Sequence, residues 1–501
     1  MAADRPLPSA RRPRDHGSRT PNAPSGAGGG SVPFEESQPM HRSAHSDVER
    51  IVEPRAAPRP RAVVHRDSPA GLRETRPHSR VLQISKFYPP VMGGIETVAW
   101  ELTAGLGRAG ILADVLCSHH TRQTVVDHTP GGGRIIRAGS WGRLLSTSLA
   151  PSMIGRLRAI TDDYEVLHLH MPDPMAALAV LAARPTGRLV VHWHSDVIRQ
   201  RIAMHAYRHL QDWVLRRADA IIATSDEYAQ SSVALRPFRD KVVTIPIGIS
   251  AERYRPVETD VAAIRARFPG KRIVFSLGRL TYYKGFDVLV RAATALPDDC
   301  VVLIGGAGDL DEDLRGLVAD LGLGHKVHLL GHVPDPLLAA HFAACDVFCM
   351  ASTVRAEAYG VAIVEALALG KPVVATDIAG SGVPWVNRHR ETGLNVPVGN
   401  PVALAAALCG LLADAGLRRQ YAQAAIARFE REFRAEVMAE RTLALYRSLG
   451  AAAPVAAAFP FESTRPVRYE PETADALEDL VSDTTDAAPS VRRQAPVEQA
   501  G

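Results

Sequence analysis

The strongest constraint on the fold is a repeated alternation of short apolar runs with longer helical stretches. The runs lie at residues 80–85, 111–117, 166–170, 189–194, 220–224, 242–245, 273–277, 301–304, 327–330, 347–350 and 372–376. Strands that are buried on both faces have this continuous apolar character, and parallel strands need helices as crossover connections. The alternation therefore predicts an α/β protein built from doubly wound parallel sheets.

The length predicts more than one core. A chain of 501 residues exceeds what a single hydrophobic core usually holds. The apolar runs form two groups, and Pro246-Ile-Gly248 begins the connection between them. We expect a disordered basic extension at 1–78, a first Rossmann-like domain at 79–250, a second at 251–435, a helix returning to the first domain at 436–449, and a disordered tail at 450–501.

The composition excludes several classes of protein. A net charge of +4 spread over this length does not indicate a nucleic-acid partner. Apolar runs are too short for a membrane span, and no apolar segment follows the basic N-terminus as in a secretory signal. The five cysteines lack zinc-site spacing and are expected to be reduced thiols. We expect a cytoplasmic protein.

The stretch 352–365 places a glycine turn before a helix. Residues 361–369 favour a helix that begins after Gly360 and ends at Gly370. The first amides of such a helix lack intrahelical acceptors and lie at the positive end of its dipole, which suits a phosphate group. We expect anion contacts from Tyr359, Gly360, Val361, Ala362 and Ile363.

Two carboxylates flank this turn. Glu365 lies about one turn inside the helix, roughly 6 Å along its axis, and is placed to accept hydrogen bonds from a diol such as ribose. Glu357 precedes the turn and is expected at the mouth of a cleft. On spacing alone, two solvated carboxylates are an equally good interpretation.

A second loop carries permanent positive charge. Arg279 and Lys284 follow the strand at 273–277, at the end of the strand where open α/β sheets bind ligands. Two cations there would clamp a diphosphate and stabilise it as a leaving group. Gly306 and Gly308 lie in the loop after the next strand and are expected beside the ligand. A solvated basic pair and a tight turn are the alternatives.

The first half offers a glycine turn and two histidine pairs. Gly93 and Gly94 open a helix after the first strand, a phosphate-type turn that is expected to contact the donor. The turn lacks the GxGxxG pattern of a dinucleotide site, and no cofactor is expected. His168 and His170 end one strand, and 192–194 ends the next with the same His-x-His pattern. A four-histidine metal site is conceivable, but strand-end histidines that face a substrate cleft are the simpler account.

Together these motifs resemble a known family. Arg279-x4-Lys284, Gly305-Gly-Ala-Gly308 and Glu357-x7-Glu365 resemble the C-terminal half of retaining GT-B glycosyltransferases of the family-4, or group 1, type. Residues 89–96 resemble the N-terminal glycine loop of that family, and the resemblance spans about 79–449.

The resemblance implies an activity and a set of roles. Two Rossmann-like domains would enclose a cleft in which a hexose leaves a nucleotide diphosphate with retention of configuration and without a bound metal. Arg279 and Lys284 would neutralise the diphosphate, and Glu365 would hold the ribose. The hexose would contact Glu357 and, from the opposite domain, His194. Residues 192–196 also resemble transferases of O-antigen and exopolysaccharide assembly, many of which use GDP-mannose.

The acceptor and the alternatives follow from this comparison. We expect a glycan or polyprenyl-linked acceptor in cell-surface polysaccharide or lipopolysaccharide synthesis. The arginine-rich helix at 196–218 would contact the anionic inner membrane surface, or else cover the core with a solvated basic side. A sugar-nucleotide epimerase or hydrolase of similar fold, and a non-catalytic glycan-binding protein, are the alternatives. The presence of both cations and both acidic residues argues against the non-catalytic protein.

Overall fold

The computed structural model describes residues 81–451, apart from 92, 130–131, 145–146 and 198–200, and it does not describe the side chains of 143–144 and 201–206. All of these residues fall within one compact unit, Arg73–Gly501. The predictions for residues 1–78, and for the tail beyond Ala451, lie outside the described residues.

The first half folds into an eight-stranded sheet with the strand order β10-β9-β8-β7-β1-β2-β4-β3. Its strands are β1 (Val81–Ser85), β2 (Ala113–Ser118), β3 (Val125–His128), β4 (Arg134–Ala138), β7 (Val166–Met171), β8 (Arg188–Trp193), β9 (Ala220–Ala223) and β10 (Val242–Thr244). A short hairpin, β5 (Arg143–Leu144) with β6 (Thr147–Ser148), interrupts the series. Only β3 pairs antiparallel to its neighbour in this sheet as described.

The second half folds into a six-stranded, fully parallel sheet with the order β13-β12-β11-β14-β15-β16. Its strands are β11 (Arg272–Leu277), β12 (Cys300–Gly305), β13 (Val327–Gly331), β14 (Val347–Met350), β15 (Val373–Thr376) and β16 (Gly393–Val396). In both sheets the order reverses beside a central strand, which opens a crevice at the carboxyl ends. The doubly wound α/β architecture that the sequence predicts is confirmed.

Helices connect the strands and cover the sheets. They are α1 (Gly94–Arg108), α2 (Ser152–Ile160), α3 (Pro174–Ala183), α4 (Arg201–Arg217), α5 (Asp226–Ser231), α6 (Glu258–Ala266), α7 (Phe286–Ala292), α8 (Asp311–Asp320), α9 (Asp335–Ala344), α10 (Val361–Ala368), α11 (Val383–Val386), α12 (Pro401–Ala413), α13 (Ala415–Arg428) and α14 (Ala435–Ser448). Several begin at capping side chains; the Asp173 carboxylate, for example, accepts from two amides of α3.

One face of the first sheet changes character along its strands. In β1, Val81 gives way to Gln83, and in β7, Val166 gives way to His168, all fully buried. The two valines pack with Val98 of α1 in one apolar cluster. Because parallel strands place their carboxyl ends at one edge, the polar residues collect there. The sheet thus has an apolar base and a buried polar edge.

The last helix ties the two halves together. The amide of Ile249, in the connection between the sheets, donates to Phe433 O at 2.9 Å, and Ala435 N donates back to Ile249 O at 3.0 Å. Beyond this point α14 packs against α1, and Met438 and Ala439 lie in the apolar cluster that contains Val81, the first residue of β1. The carboxyl-terminal helix is therefore part of the layer that covers the first sheet.

Two strands at the far edge of the first sheet were not predicted. β3 pairs antiparallel with β4, and three of the four residues of β3 are exposed. An exposed edge strand lacks the apolar run by which buried strands are recognised.

The membrane-related features are limited. No single helix in the described part of the chain is long and apolar enough to cross a membrane, and one pair, Pro401–Ala413 with Ala415–Phe433, qualifies only jointly and bends by 97°. On α4, Arg208 and Arg216 are exposed, whereas Arg217 donates to Asp219 and to two backbone carbonyls. Lipid contact by this helix stays a prediction.

Candidate active site

A lysine and a glutamate meet at the carboxyl edge of the second sheet. Lys284 Nζ lies 2.6 Å from Glu357 Oε2, and Ser352 Oγ donates to the same oxygen at 3.1 Å. Their side chains are only 14% and 10% exposed. Burial lowers the pKa of the Lys284 ammonium, but the Glu357 carboxylate outweighs it and the net shift is upward. The lysine is therefore held in its charged form.

Arg279 lies on the same loop, and its side chain is exposed. Its charge repels that of Lys284, which shows that the two predicted cations share one electrostatic environment. The loop is fixed by backbone bonds to the neighbouring loop, from Leu280 N to Ala307 O and from Leu310 N to Leu280 O. Arg279 is thus free to turn toward an incoming anion, while its backbone is anchored.

The predicted glycines of the neighbouring loop explain this anchoring. Gly306 has φ of +136°, and a Cβ at this residue would lie 1.9 Å from Gly278 O. Gly308 similarly approaches the carbonyl of Leu280. The backbones of the two loops lie too close together for a side chain between them, so glycine is needed for this contact. Their observed role is to position the loop that carries Arg279.

The helix α10 begins where the sequence predicts. Gly360 has φ of +87°, the left-handed conformation that glycine adopts without a steric penalty, and it caps the helix. By position, the amides of Val361 and Ala362 lack acceptors within the helix. The amide of Ile363 donates to Gly360 O at 2.9 Å and is already used. Of the three helix amides among the predicted anion contacts, those of Val361 and Ala362 are therefore left without an acceptor inside the helix, and their contact with an anion stays a prediction.

Glu365 has partners that the sequence did not reveal. Its Oε1 accepts from the Tyr254 hydroxyl at 2.7 Å, and the carboxylate is nearly buried. Burial raises the pKa of Glu365, against the hydrogen bond from Tyr254 and the charge of Arg253. Arg253 itself lies over the ring of Trp100, a residue of α1. Since Tyr254 and Arg253 come from the connection between the sheets, no local motif marks them.

Tyr359 is directed elsewhere. Its hydroxyl points to Ile247 O at 3.5 Å, and its ring packs near Trp385 and Phe433. Its side chain therefore supports the connection between the sheets, and any contact with an anion would come from its backbone.

The edge of the first sheet is lined by imidazoles. His194 follows β8 and is 7% exposed, and its Nε2 lies 2.9 Å from His170 Nδ1. Burial holds the pKa of both rings well below the usual range, so they are neutral. Gly93 precedes and Gly94 opens α1, which follows β1 at this same edge. The predicted residues of the first half thus share one edge of one sheet.

A salt bridge joins the two edges. Arg355, in the loop that leads to Glu357, lies 2.6 Å from Asp196, which follows β8. The same guanidinium donates to Gly380 O at 2.9 Å and lies 4.2 Å from the ring centroid of Tyr228. Sequence analysis missed this contact because its partners are more than 150 residues apart; the hydrogen bond spans 159. It brings the loop of Glu357 to the edge that carries His194.

Two doubly wound sheets whose carboxyl edges meet in this way define the GT-B class of glycosyltransferase. Comparison with known proteins agrees. The family described as "Glycosyl transferases group 1" matches residues 259–428, and "Glycosyl transferase 4-like domain" matches residues 93–248. The O-antigen chain mannosyltransferase C of Escherichia coli is 32% identical over 377 residues, which cover 74% of this chain and 98% of that protein. The chain therefore belongs to the group 1 glycosyltransferases.

Other relatives and solved structures extend the comparison. The D-rhamnosyltransferase WbpZ of Pseudomonas aeruginosa is 34% identical over 333 residues, which cover 66% of this chain and 85% of that protein. The HepE structure from Anabaena in complex with UDP-glucose superposes with a TM-score of 0.61 at 21% identity, covering 74% of this chain and 99% of that one. The likeness to the HepE structure shows the shared fold. The protein is a glycosyltransferase.

Proposed function

We propose that this enzyme transfers mannose from GDP-mannose, with retention of configuration, to a glycan or lipid-linked acceptor. The sugar is supported by the names of the relatives, which include an O-antigen chain mannosyltransferase and mycobacterial phosphatidyl-myo-inositol mannosyltransferases. The same names support an acceptor in cell-surface glycan assembly. The rhamnosyltransferase among them makes the sugar a matter for direct measurement.

One observation carries the chemistry: the buried pair of Lys284 and Glu357 lies in the loops at the carboxyl edge that also holds Arg279 and the amino end of α10. A diphosphate there would meet two cations and two unpaired amides. Such preorganised groups stabilise the charge that develops on a leaving group, because they need not reorient during the reaction.

The ion pair also suggests how the donor is received. Without a donor, Lys284 and Glu357 neutralise one another. When a diphosphate arrives, Lys284 gains a second anion, and the Glu357 carboxylate becomes available to hydroxyl groups of the hexose. Charge-assisted hydrogen bonds of this kind are about twice as strong as neutral ones. Glu365 would hold the ribose, in exchange for or beside its bond to Tyr254.

Retention is proposed to follow from attack on the same face as departure. A double displacement would need a carboxylate that attacks the anomeric carbon, whereas Glu357 is assigned here to the hydroxyl groups of the hexose and to Lys284. His194 is neutral and would contact the sugar from the opposite edge. In a same-face mechanism the leaving phosphate oxygen accepts the proton of the acceptor hydroxyl, and closure of the cleft excludes water.

A thermal-shift panel tests the donor. GDP-, UDP- and ADP-sugars are added to the full chain, and GDP-mannose is expected to raise the melting temperature most, since a ligand that binds the folded state stabilises it. A larger shift with a UDP-sugar would assign uracil, rather than guanine, as the base of the donor nucleotide. No shift with any nucleotide sugar would contradict the proposed site.

A product analysis tests the reaction. Incubation of GDP-mannose with a mannose-terminated oligosaccharide is expected to yield an α-linked product, identified by the one-bond carbon–proton coupling at its anomeric carbon. A β-linked product would contradict retention. Free mannose in place of a disaccharide linkage would favour the hydrolase alternative.

A further inference from the structure

One arginine from the second half of the chain is built into the carboxyl edge of the first sheet. Arg355 Nη1 lies 2.6 Å from Asp196 Oδ2, and only 22% and 17% of the two side chains are exposed. The Nε of the same guanidinium donates to Ser231 Oγ, on α5, at 3.1 Å and to Gly380 O, in the loop after β15, at 2.9 Å. A guanidinium presents its donors in a fixed plane, so this one side chain holds partners from both halves at once.

The carboxylate that receives Arg355 is held in place by its own half of the chain. Asp196 Oδ1 accepts from Trp193 Nε1 at 3.0 Å and from Ser232 Oγ at 2.7 Å. The backbone amide of Asp196 donates to the Tyr228 hydroxyl at 2.7 Å. These three hydrogen bonds all lie within the first half, and they leave Oδ2 as the oxygen that binds the guanidinium. Asp196 is therefore a preorganised acceptor for Arg355.

The two halves also touch directly beside this ion pair. Ser231 Oγ donates to Gly380 O at 2.7 Å. Gly380 has φ of +71°, and a Cβ at this residue would lie 2.7 Å from the Cβ of Ser231. Because two Cβ atoms do not approach so closely, glycine is needed for the loop after β15 to lie against α5. We call Arg355, Asp196, Ser231 and Gly380 the interdomain contact.

The interdomain contact continues into the loop that carries the sugar-binding carboxylate. Arg355 lies two residues before Glu357 in the chain. Ser381, next to Gly380, donates from its Oγ to the backbone oxygen of Glu357. Two loops of the second half are thus bonded together beside Glu357, and Arg355 fastens both of them to the first half. A shift of the interdomain contact would therefore also move the Glu357 carboxylate.

We propose that Arg355 is a positioning residue: it docks the loop of Glu357 on Asp196, holds the cleft closed over the donor, and thereby makes the donor react with the acceptor rather than with water. This inference rests on the proposed function, because it takes Glu357 as a contact of the hexose. The docking of the loop on Asp196 does not depend on the identity of the donor.

The consequence concerns which nucleophile reaches the anomeric carbon. With the cleft held closed, the acceptor hydroxyl occupies that position and water is excluded. When the interdomain contact is broken, water can take its place. The water oxygen then bonds to the anomeric carbon, the bond from that carbon to the phosphate oxygen breaks, GDP leaves with the electron pair, and one proton of the water is released. Transfer needs an aligned acceptor and hydrolysis does not, so loss of Arg355 should slow transfer more than hydrolysis.

The ratio of transfer to hydrolysis tests this role in the full chain. In Arg355→Ala and in Asp196→Asn, transfer from GDP-mannose is expected to slow by about 10- to 100-fold, the scale of a misplacement of about 1 Å, and the share of free mannose to rise. Arg355→Lys keeps the charge but not the planar donor set that binds Asp196 and Gly380 together, so its ratio should be intermediate. The control is Arg188→Ala, which breaks an ion pair with Asp219 inside the first half and should leave the ratio as in the wild type.

Binding separates positioning from direct contact with the nucleotide. In Arg355→Ala, calorimetry is expected to show an unchanged affinity for GDP, which lacks the hexose. The affinity for GDP-mannose should fall by about tenfold or more, as for the loss of one hydrogen bond to a charged group. Arg355→Ala combined with Asp196→Asn should have no larger effect than either substitution alone, since both remove the same contact.

Hydrogen exchange measured by mass spectrometry tests the docking without any donor. In Asp196→Asn, a substitution in the first half, the amides of residues 352–358 and 378–382 in the second half are expected to exchange faster than in the wild type, because their loops lose the contact that fastens them. Unchanged exchange in these loops, or an unchanged ratio of transfer to hydrolysis, would overturn the proposal. A wild type that consumes no nucleotide sugar, with the exchange as expected, would instead contradict the proposed function.

Discussion

The two facing edges of this enzyme handle polarity in opposite ways. The edge of the second sheet keeps charged groups in contact, as Lys284 and Glu357 show at 2.6 Å. The edge of the first sheet holds His168, His170 and His192 fully buried and neutral. A buried charge persists only with a close partner, whereas a buried imidazole loses its proton instead.

The difference follows the needs of the proposed reaction. A departing diphosphate carries charge, so fixed cations and helix amides beside it lower the barrier. A hexose carries only hydroxyl groups, and neutral donors and acceptors recognise these without attracting competing ions. In the proposed reaction the two edges would therefore divide the work between charge stabilisation and hydroxyl recognition. Four substitutions test this division, from the largest expected effect to the smallest.

Removal of the buried cation should have the largest effect. In Lys284→Ala, turnover is expected to fall by about 10²-fold or more, the scale of losing one transition-state electrostatic contact. Steady-state kinetics on folded protein measure this. The control is Lys271→Ala at the amino end of β11, where the ammonium binds a backbone carbonyl and turnover should be unchanged. Near-normal turnover in Lys284→Ala would reject its role.

Loss of the Glu365 carboxylate should weaken binding of the nucleotide. Glu365→Ala is expected to lower the affinity for GDP by about 10- to 100-fold, as for hydrogen bonds to a charged group. Calorimetry measures the dissociation constant. Tyr254→Phe is the companion variant: it removes the hydroxyl that occupies Glu365 Oε1, and it should not weaken binding if ribose uses that oxygen. Unchanged affinity in Glu365→Ala would count against the ribose assignment.

The contact that joins the edges can be removed by Arg355→Ala. The free energy of unfolding is expected to fall by about 2 kcal/mol, because Asp196 keeps a partly buried charge without this partner. Urea denaturation measures the change. Arg315→Ala breaks an ion pair on an exposed helix and should change stability by less than about 0.5 kcal/mol. Equal effects of the two substitutions would show that the edges are joined by other contacts.

The buried, neutral histidines of the first sheet should make the free energy of unfolding depend on pH. Burial lowers the pKa of His192 to about 3, so the unfolded chain binds more protons than the folded protein between that pH and its own pKa of about 6.5. The stability from the neutral ring is complete above about pH 6.5 and falls by about 1.4 kcal/mol per pH unit below it.

In His192→Asn, the slope of the free energy of unfolding against pH should be smaller by the contribution of one proton. Denaturation curves recorded between pH 6 and 5 measure this slope. His332→Asn, at an exposed position, is the control and should leave the slope as in the wild type. An unchanged slope in His192→Asn would show that the ring is protonated in the folded enzyme, and the contrast between the edges would then disappear.

Much of the site was predictable because it is local in sequence. The helix that begins after Gly360 depends on a turn and on helix propensity, and both can be identified within a dozen residues. The carboxyl-edge position of Arg279 follows from the strand before it. The direct pairing of Lys284 with Glu357, and the bond from Tyr254 to Glu365, join distant segments and left no local pattern.

The sequence by itself determined the two sheets, their crossover helices and the family, because apolar periodicity and glycine turns act over short spans of chain. Tertiary structure alone decided which polar groups share a charge or a proton. His168 and Tyr446 lie 278 residues apart in the chain, and only the packing of α14 over the first sheet brings them within hydrogen-bond distance. Pairing energies depend on distance and burial, and neither is encoded in any one stretch of residues.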